Sequence, residues 1–70
     1  MIFEVEVYMI VGNGNCETIV VDMEGKDEVD IKARILAELN SKENYVAIGT
    51  GVFQRENVRG TCVNREKGGK

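Results

Sequence analysis

The fold is decided by residues 2–23, which read IFEVEVYMIVGNGNCETIVVDM. In residues 2–11, apolar side chains alternate with other residues and β-branched residues dominate, a pattern that predicts a β-strand. Residues 12–15, Gly-Asn-Gly-Asn, carry the strongest turn signal in the chain. Residues 16–23 are again rich in β-branched side chains. The stretch therefore predicts an antiparallel β-hairpin.

The register of this hairpin follows from the faces that each pairing would produce. A two-residue loop would mix polar and apolar side chains on both faces of the sheet. A three-residue loop of residues 13–15 would pair Val5 with Met23 and would keep the apolar side chains on one face. Because a slip of one residue moves a whole apolar set into solvent, we predict the second register, with Gly14 or Asn15 in the left-handed region.

A helix follows the hairpin. Asp27 has the profile of an N-cap residue, and Asp30 stands three positions later, where an acidic side chain suits the helix dipole. Apolar residues then recur at helical spacing from Val29 to Leu39, which predicts a helix with one broad apolar face.

The rest of the chain predicts further strands. Residues 45–48 form a third strand and residues 52–58 a weaker fourth, which Arg59-Gly60 would break. Residues 61–65 form a short fifth strand or none. The final stretch, residues 66–70, contains no apolar side chain and is predicted to be a flexible basic tail.

This order, ββαββ with a fifth strand left open, predicts an α+β fold. We expect an antiparallel sheet of four or five strands with one helix on one face, formed by a single domain over residues 1–65. One helix covers only part of such a sheet. The uncovered face would then expose four large apolar side chains: Ile2, Tyr8, Ile10 and Val20.

Exposed apolar patches of this kind mark interfaces. Either a second copy packs against the face or an edge strand pairs between two copies, so the sequence predicts a homo-oligomer, a dimer in the simplest case.

Charge is distributed unevenly within a net charge of −3. Residues 1–53 hold ten acidic and four basic side chains, whereas residues 54–70 hold five basic and two acidic ones. The basic end adds Arg55, Arg59 and Arg65 to the candidate interface as a polar rim. Two other roles for the basic end stay open: it serves solubility alone, or it binds nucleic acid, although the acidic remainder of the chain would repel phosphate.

The sequence lacks the common chemistry of enzymes. It has no histidine, which removes the commonest general base and metal ligand. Cys16 and Cys62 cannot form a zinc site by themselves, and the turn at residues 49–51 lacks the features of a phosphate-binding loop. We therefore expect no enzymatic activity, no cofactor and no bound metal.

The cysteines also bear on the compartment. Two cysteines are too few for a disulfide scaffold, so we expect reduced thiols in a cytoplasmic protein, with a single Cys16–Cys62 disulfide as the alternative. No apolar run is long enough to span a membrane, and the first residues lack a basic region before their apolar stretch. These features predict no membrane association.

The motifs match no family, so function is inferred from what the chain offers. We expect a small, non-catalytic, self-associating module that binds another protein and inhibits or regulates it. Its size and missing chemistry are typical of the accessory proteins that mobile elements encode. The alternative is a small nucleic-acid-binding protein that uses the basic C-terminal segment.

Overall fold

The predicted hairpin forms as two ten-residue strands in the computed structural model, which describes residues 1–67. The elements, in chain order, are β1 (Ile2–Val11), β2 (Asn15–Glu24), α1 (Glu28–Asn40), β3 (Tyr45–Ile48), β4 (Gly51–Gln54), a 3₁₀ turn (Arg55–Asn57) and β5 (Val58–Lys67). The α+β class and the antiparallel pairing are as the sequence predicts.

The strands divide between two sheets. β1 lies in the middle of a three-stranded sheet of order β2-β1-β5, and β3 pairs with β4 in a separate two-stranded sheet. The prediction of one sheet with four or five strands is therefore wrong. β3 and β4 have only four residues each, and they bury Val46, Ile48 and Phe53 in the core instead of extending an edge of the larger sheet.

The hairpin loop has the predicted length but a different position. Val5 pairs with Val21, not with Met23, and the loop consists of residues 12–14. Both registers place the same side chains inward, so the faces do not distinguish them. The conformation of the loop determines which register forms. Gly12 and Gly14 have φ values of 27° and 90°, a region that glycine adopts without strain. The predicted loop would have placed Asn15 in this turn and Gly12 in a strand.

Helix α1 begins as the sequence predicts. The Asp27 carboxylate accepts a hydrogen bond from the backbone N–H of Asp30 at 2.9 Å, which satisfies one of the free N–H groups of the first turn. Ile31 and Ile35 are the buried residues of this helix. They pack with the inward-facing side chains of the large sheet and of the small sheet.

One face of the large sheet thus builds the core together with α1 and the β3–β4 hairpin. The buried apolar residues are Phe3, Val5, Val7, Met9, Val21, Met23, Ile31, Ile35, Val46, Ile48 and Phe53. The alternation of β1 places four of its side chains in this core, while the residues between them point to the opposite, outer face.

β5 departs from its predicted limits at both ends. Arg59-Gly60, predicted to break the fourth strand, lies at a β-bulge inside β5, and the break falls instead at the 3₁₀ turn. β5 also continues to Lys67, which pairs with Ile2 and contacts Asp22 at 3.0 Å. Residues 66 and 67 thus belong to β5, and residues 68–70 of the predicted tail lie outside the described part of the chain. An edge strand needs hydrogen bonds to one neighbour but no apolar side chains of its own, so the polar composition of this stretch did not prevent pairing.

Gly49 offers a test of how the two sheets are joined. It has a φ of 59°, and a Cβ at this position would overlap the carbonyl oxygen of Asp22 on β2. We expect Gly49→Ala to destabilise the protein by about 1–3 kcal/mol more than Gly14→Ala. The Gly14 change carries only the backbone strain, about 1–2 kcal/mol, because nothing lies within 4 Å of a Cβ there. Urea unfolding of the two variants measures the difference, and equal losses would contradict the close approach of the β3–β4 turn to β2.

Candidate protein-interaction surfaces

The outer face of the large sheet has an apolar half next to the β1–β2 turn. Across the β1–β2 ladder, Tyr8 stands opposite Thr18 and Ile10 opposite Cys16, and Val20 lies one row away beside Glu6. Val20 is 53% exposed and Tyr8 36%, and Ile10 is half-buried. These three predicted interface residues are therefore close neighbours on one exposed surface, which we call the apolar patch (Tyr8, Ile10, Val20).

The other half of the outer face is charged. Glu4 lies between Asp22 on β2 and Arg65 on β5. Arg65 approaches Glu4 at 3.7 Å and Lys67 approaches Asp22 at 3.0 Å. Ile2, the fourth predicted apolar residue, is 43% exposed but lies beyond this charged row. The structure thus separates Ile2 from the apolar patch.

A hydrogen-bond network marks the boundary between the two halves. The Tyr8 hydroxyl donates to Glu6 at 2.6 Å, and the Asn64 amide donates to Glu6 at 2.9 Å and to Glu4 at 3.2 Å. The bulge after Val63 brings Asn64 toward these carboxylates. The hydrogen bonds from Asn64 and then Tyr8 lower the pKa of Glu6, and the bond to Glu6 raises the pKa of Tyr8 to about 12.

The three predicted rim arginines do not form one cluster. Arg55 lies in the 3₁₀ turn and donates from Nε to the carbonyl oxygen of Glu43 at 2.7 Å. Arg59 donates to the carbonyl oxygen of Glu56 at 2.6 Å. Arg65 lies about 20 Å further along β5 at about 3.3 Å per residue. Arg59 and Arg65 therefore stand near opposite ends of β5, and Arg55 stands on a different element.

Both cysteines are free thiols on exposed residues. Cys16 on β2 pairs with Ile10 and Cys62 on β5 pairs with Glu6, so β1 lies between them. Two strand spacings and four residues along β1 separate their Cα atoms by about 16 Å. A disulfide needs a Cα separation of no more than about 7 Å. This register excludes the Cys16–Cys62 disulfide within one chain.

A groove that the sequence did not predict runs between α1 and β5. It has a volume of about 460 Å³, and its walls include Ile35, Leu36 and Leu39 of the helix and Thr61 and Val63 of the strand. Leu36 is 59% exposed, although the sequence placed it in the apolar face of the helix. The sequence did carry a signal for this groove: the predicted apolar face of the helix is wider than the part of it that Ile31 and Ile35 bury in the core. The sheet order that leaves β5 at an edge was not readable from the sequence.

Residues 1–67 show no metal site and no membrane-spanning helix. No group of three His, Cys, Asp or Glu side chains in this range could hold a metal ion. The helix described here is too short to cross a membrane. Comparison with family models, curated proteins and solved structures found no match. The apolar patch and the groove are therefore the features of residues 1–67 that bear on function.

The contact between Tyr8 and Glu6 can be tested by titration. In a Tyr45→Phe background, Tyr8 is the remaining tyrosine, and the ultraviolet absorbance of its phenolate should rise with a pKa of about 12. Adding Glu6→Gln should move this pKa down toward 10, because the charged acceptor is gone.

The contact between Tyr8 and Glu6 also makes the stability of the protein depend on pH. Because folding raises the Tyr8 pKa from about 10, the contact stabilises the protein below pH 10 and the stabilisation is lost as the pH rises through 12. The same phenolate midpoint with and without Glu6→Gln would contradict the contact.

Proposed function

We propose that this chain is a non-catalytic, self-associating module that regulates or inhibits another protein by binding it. The observation that supports self-association is the apolar patch. Tyr8, Ile10 and Val20 share one side of the large sheet, while α1 and the small sheet cover the opposite side. Residues 1–67 contain no further element to cover the outer face, and a second copy supplies one.

Two such faces can pack as sheets do in a β-sandwich, about 10 Å apart. With the apolar patch at the centre, the charged row of Glu4, Asp22 and Arg65 would lie at the rim. That arrangement is typical of protein interfaces, in which apolar side chains occupy the middle and polar groups surround them. Arg65 suits the rim because it is exposed and holds Glu4 only at 3.7 Å.

The nucleic-acid alternative stays a prediction, and the arrangement of the arginines adds no support to it. Single-strand binders track a backbone with clustered basic and aromatic side chains. Here Arg55 lies in the 3₁₀ turn, Arg59 and Arg65 stand about 20 Å apart on β5, and Tyr8 donates to a carboxylate. The salt dependence of binding to a labelled single-stranded oligonucleotide decides this alternative, since phosphate contacts weaken steeply with salt.

Self-association is tested by light scattering across the micromolar concentration range. We expect the wild-type mass to rise from that of a monomer to that of a dimer. Val20→Lys should shift this transition to at least tenfold higher concentration, because burying a valine contributes about 1.5 kcal/mol and 1.4 kcal/mol corresponds to a factor of ten. Glu6, beside Val20, can pair with the new lysine in the monomer.

Val52→Lys is the matched control. Val52 is 69% exposed on β4, away from the outer face of the large sheet, so this change should leave the transition where it is. A wild-type protein that stays monomeric throughout, or equal weakening by both lysine variants, would overturn the proposed role of the outer face.

A further inference from the structure

We propose that the groove between α1 and β5 binds an extended, acidic segment of a partner protein, which adds to β5 as a further strand. This inference rests on the proposed function only in treating the chain as a protein-binding module. It concerns the edge of the sheet and not the apolar patch, so the two proposals can fail separately.

The backbone of β5 is available for such pairing. In an antiparallel sheet, successive residues direct their N–H and C=O groups to opposite sides of the strand. The carbonyl of Val11 accepts from Gly14, so the odd-numbered residues of β1 face β2 and the even-numbered ones face β5. Cys62, opposite Glu6, therefore bonds to β1. The backbone groups of Thr61 and Val63 point away from β1.

No strand described in residues 1–67 takes up these groups, since β5 pairs with β1 alone. The β-bulges near Arg59 and Asn64 limit the regular open edge to residues 60–63. A short added strand is therefore what this edge can hold.

The helix gives the open edge a second wall. Leu36 and Leu39 face Val63 across the groove, so a strand laid along β5 could bury an apolar side chain between them. The groove of about 460 Å³ is large enough for one or two such side chains. Strand addition of this kind takes affinity from main-chain hydrogen bonds and selectivity from side-chain pockets.

The chain's own edge strands fit this groove poorly. Two β5 strands paired about Cys62 would set Arg59 of one copy opposite Arg65 of the other, and like charges directly opposite are destabilising. The free edge of β2 is partly covered: Gly49 lies against the carbonyl of Asp22, and Arg34 donates to the carbonyl of Glu24 at 3.0 Å. Of the edges that a second copy could offer, β5 is repelled by charge and β2 is open only at residues 16–20 in the described chain. We therefore take a segment of a different protein as the occupant.

Charge decides the chemistry of that segment. β5 carries Arg59, Arg65 and Lys67 against Glu66, but Lys67 pairs with Asp22 at 3.0 Å and Arg65 lies 3.7 Å from Glu4. Arg59 contacts a carbonyl oxygen and has no carboxylate partner among the described residues. Arg59 and Arg65 flank the open residues 60–63, so acidic side chains at both ends of a bound strand would meet an arginine. In the groove itself, Lys32 forms an ion pair with Glu28 at 3.0 Å, so these two side chains add no net charge. The best occupant thus has one or two large apolar side chains at its centre and Asp or Glu toward its ends.

The experiment uses a displayed library of random ten-residue peptides as the probe, selected on the full-length protein. We expect enriched peptides to combine a central apolar residue with flanking Asp or Glu. Measured by fluorescence anisotropy, their binding should weaken at least tenfold with Thr61→Pro, which removes an N–H from the open edge and none from the β1 ladder. The matched control is Thr18→Pro on β2, whose N–H also points away from β1 and lies outside the groove.

A second pair of variants leaves the backbone intact. Leu36→Lys lies in the groove and should also weaken binding at least tenfold. Val29→Lys is on the same helix, is 75% exposed and does not line the groove, so it should have no effect. The Val20→Lys variant should bind the peptides as wild type does, whether or not the protein self-associates.

Three results would overturn the proposal. The first is a selection that enriches no acidic peptides. The second is binding that Leu36→Lys and Val29→Lys reduce equally. The third is peptide binding that Val20→Lys abolishes, which would assign the peptides to the outer face.

Discussion

Strand β1 is the element on which the remaining structure depends, because it is hydrogen-bonded along both edges. Its odd-numbered side chains, from Phe3 to Met9, form one wall of the core, and its even-numbered ones form the middle of the outer face. α1 and the β3–β4 hairpin pack against the first set. Both candidate surfaces follow from this arrangement, since no element within residues 1–67 covers the second set and β5 lies at an edge of the described sheet.

The sequence predicts those parts of the fold that depend on interactions between residues close in the chain. It does not predict those that depend on contacts between distant residues. The strand alternation and the Asp27 cap are local, and both were predicted correctly. The hairpin register was wrong by two residues because both registers bury the same faces, and the choice rests on where Gly12 and Gly14 fall in the loop. The position of the β3–β4 hairpin depends on the distant contact of Gly49 with β2, which no local pattern encodes.

The apolar patch and the groove also differ in how far the sequence predicts them. The exposure of Tyr8 and Val20 follows from the parity of their strands, which is readable from the sequence. Their separation from Ile2 arises because Arg65 and Asp22 flank Glu4, and this depends on which strands pair with β1. Predicting the groove depends on two further features of the tertiary structure. β5 pairs with β1 and not with β4, and α1 lies along the free side of β5.

The pairing of Ile2 with Lys67 brings together the two ends of the described chain. The β1–β2 hairpin closes only a short loop, whereas β5 can dock only after almost the whole chain has been organised, and the entropy lost on closing a loop grows with its length. We therefore expect the hairpin to form early in folding and β5 to join late. The last strand to arrive would then also be the first to open in the native state, so the amides along the groove should exchange with solvent faster than those of the hairpin.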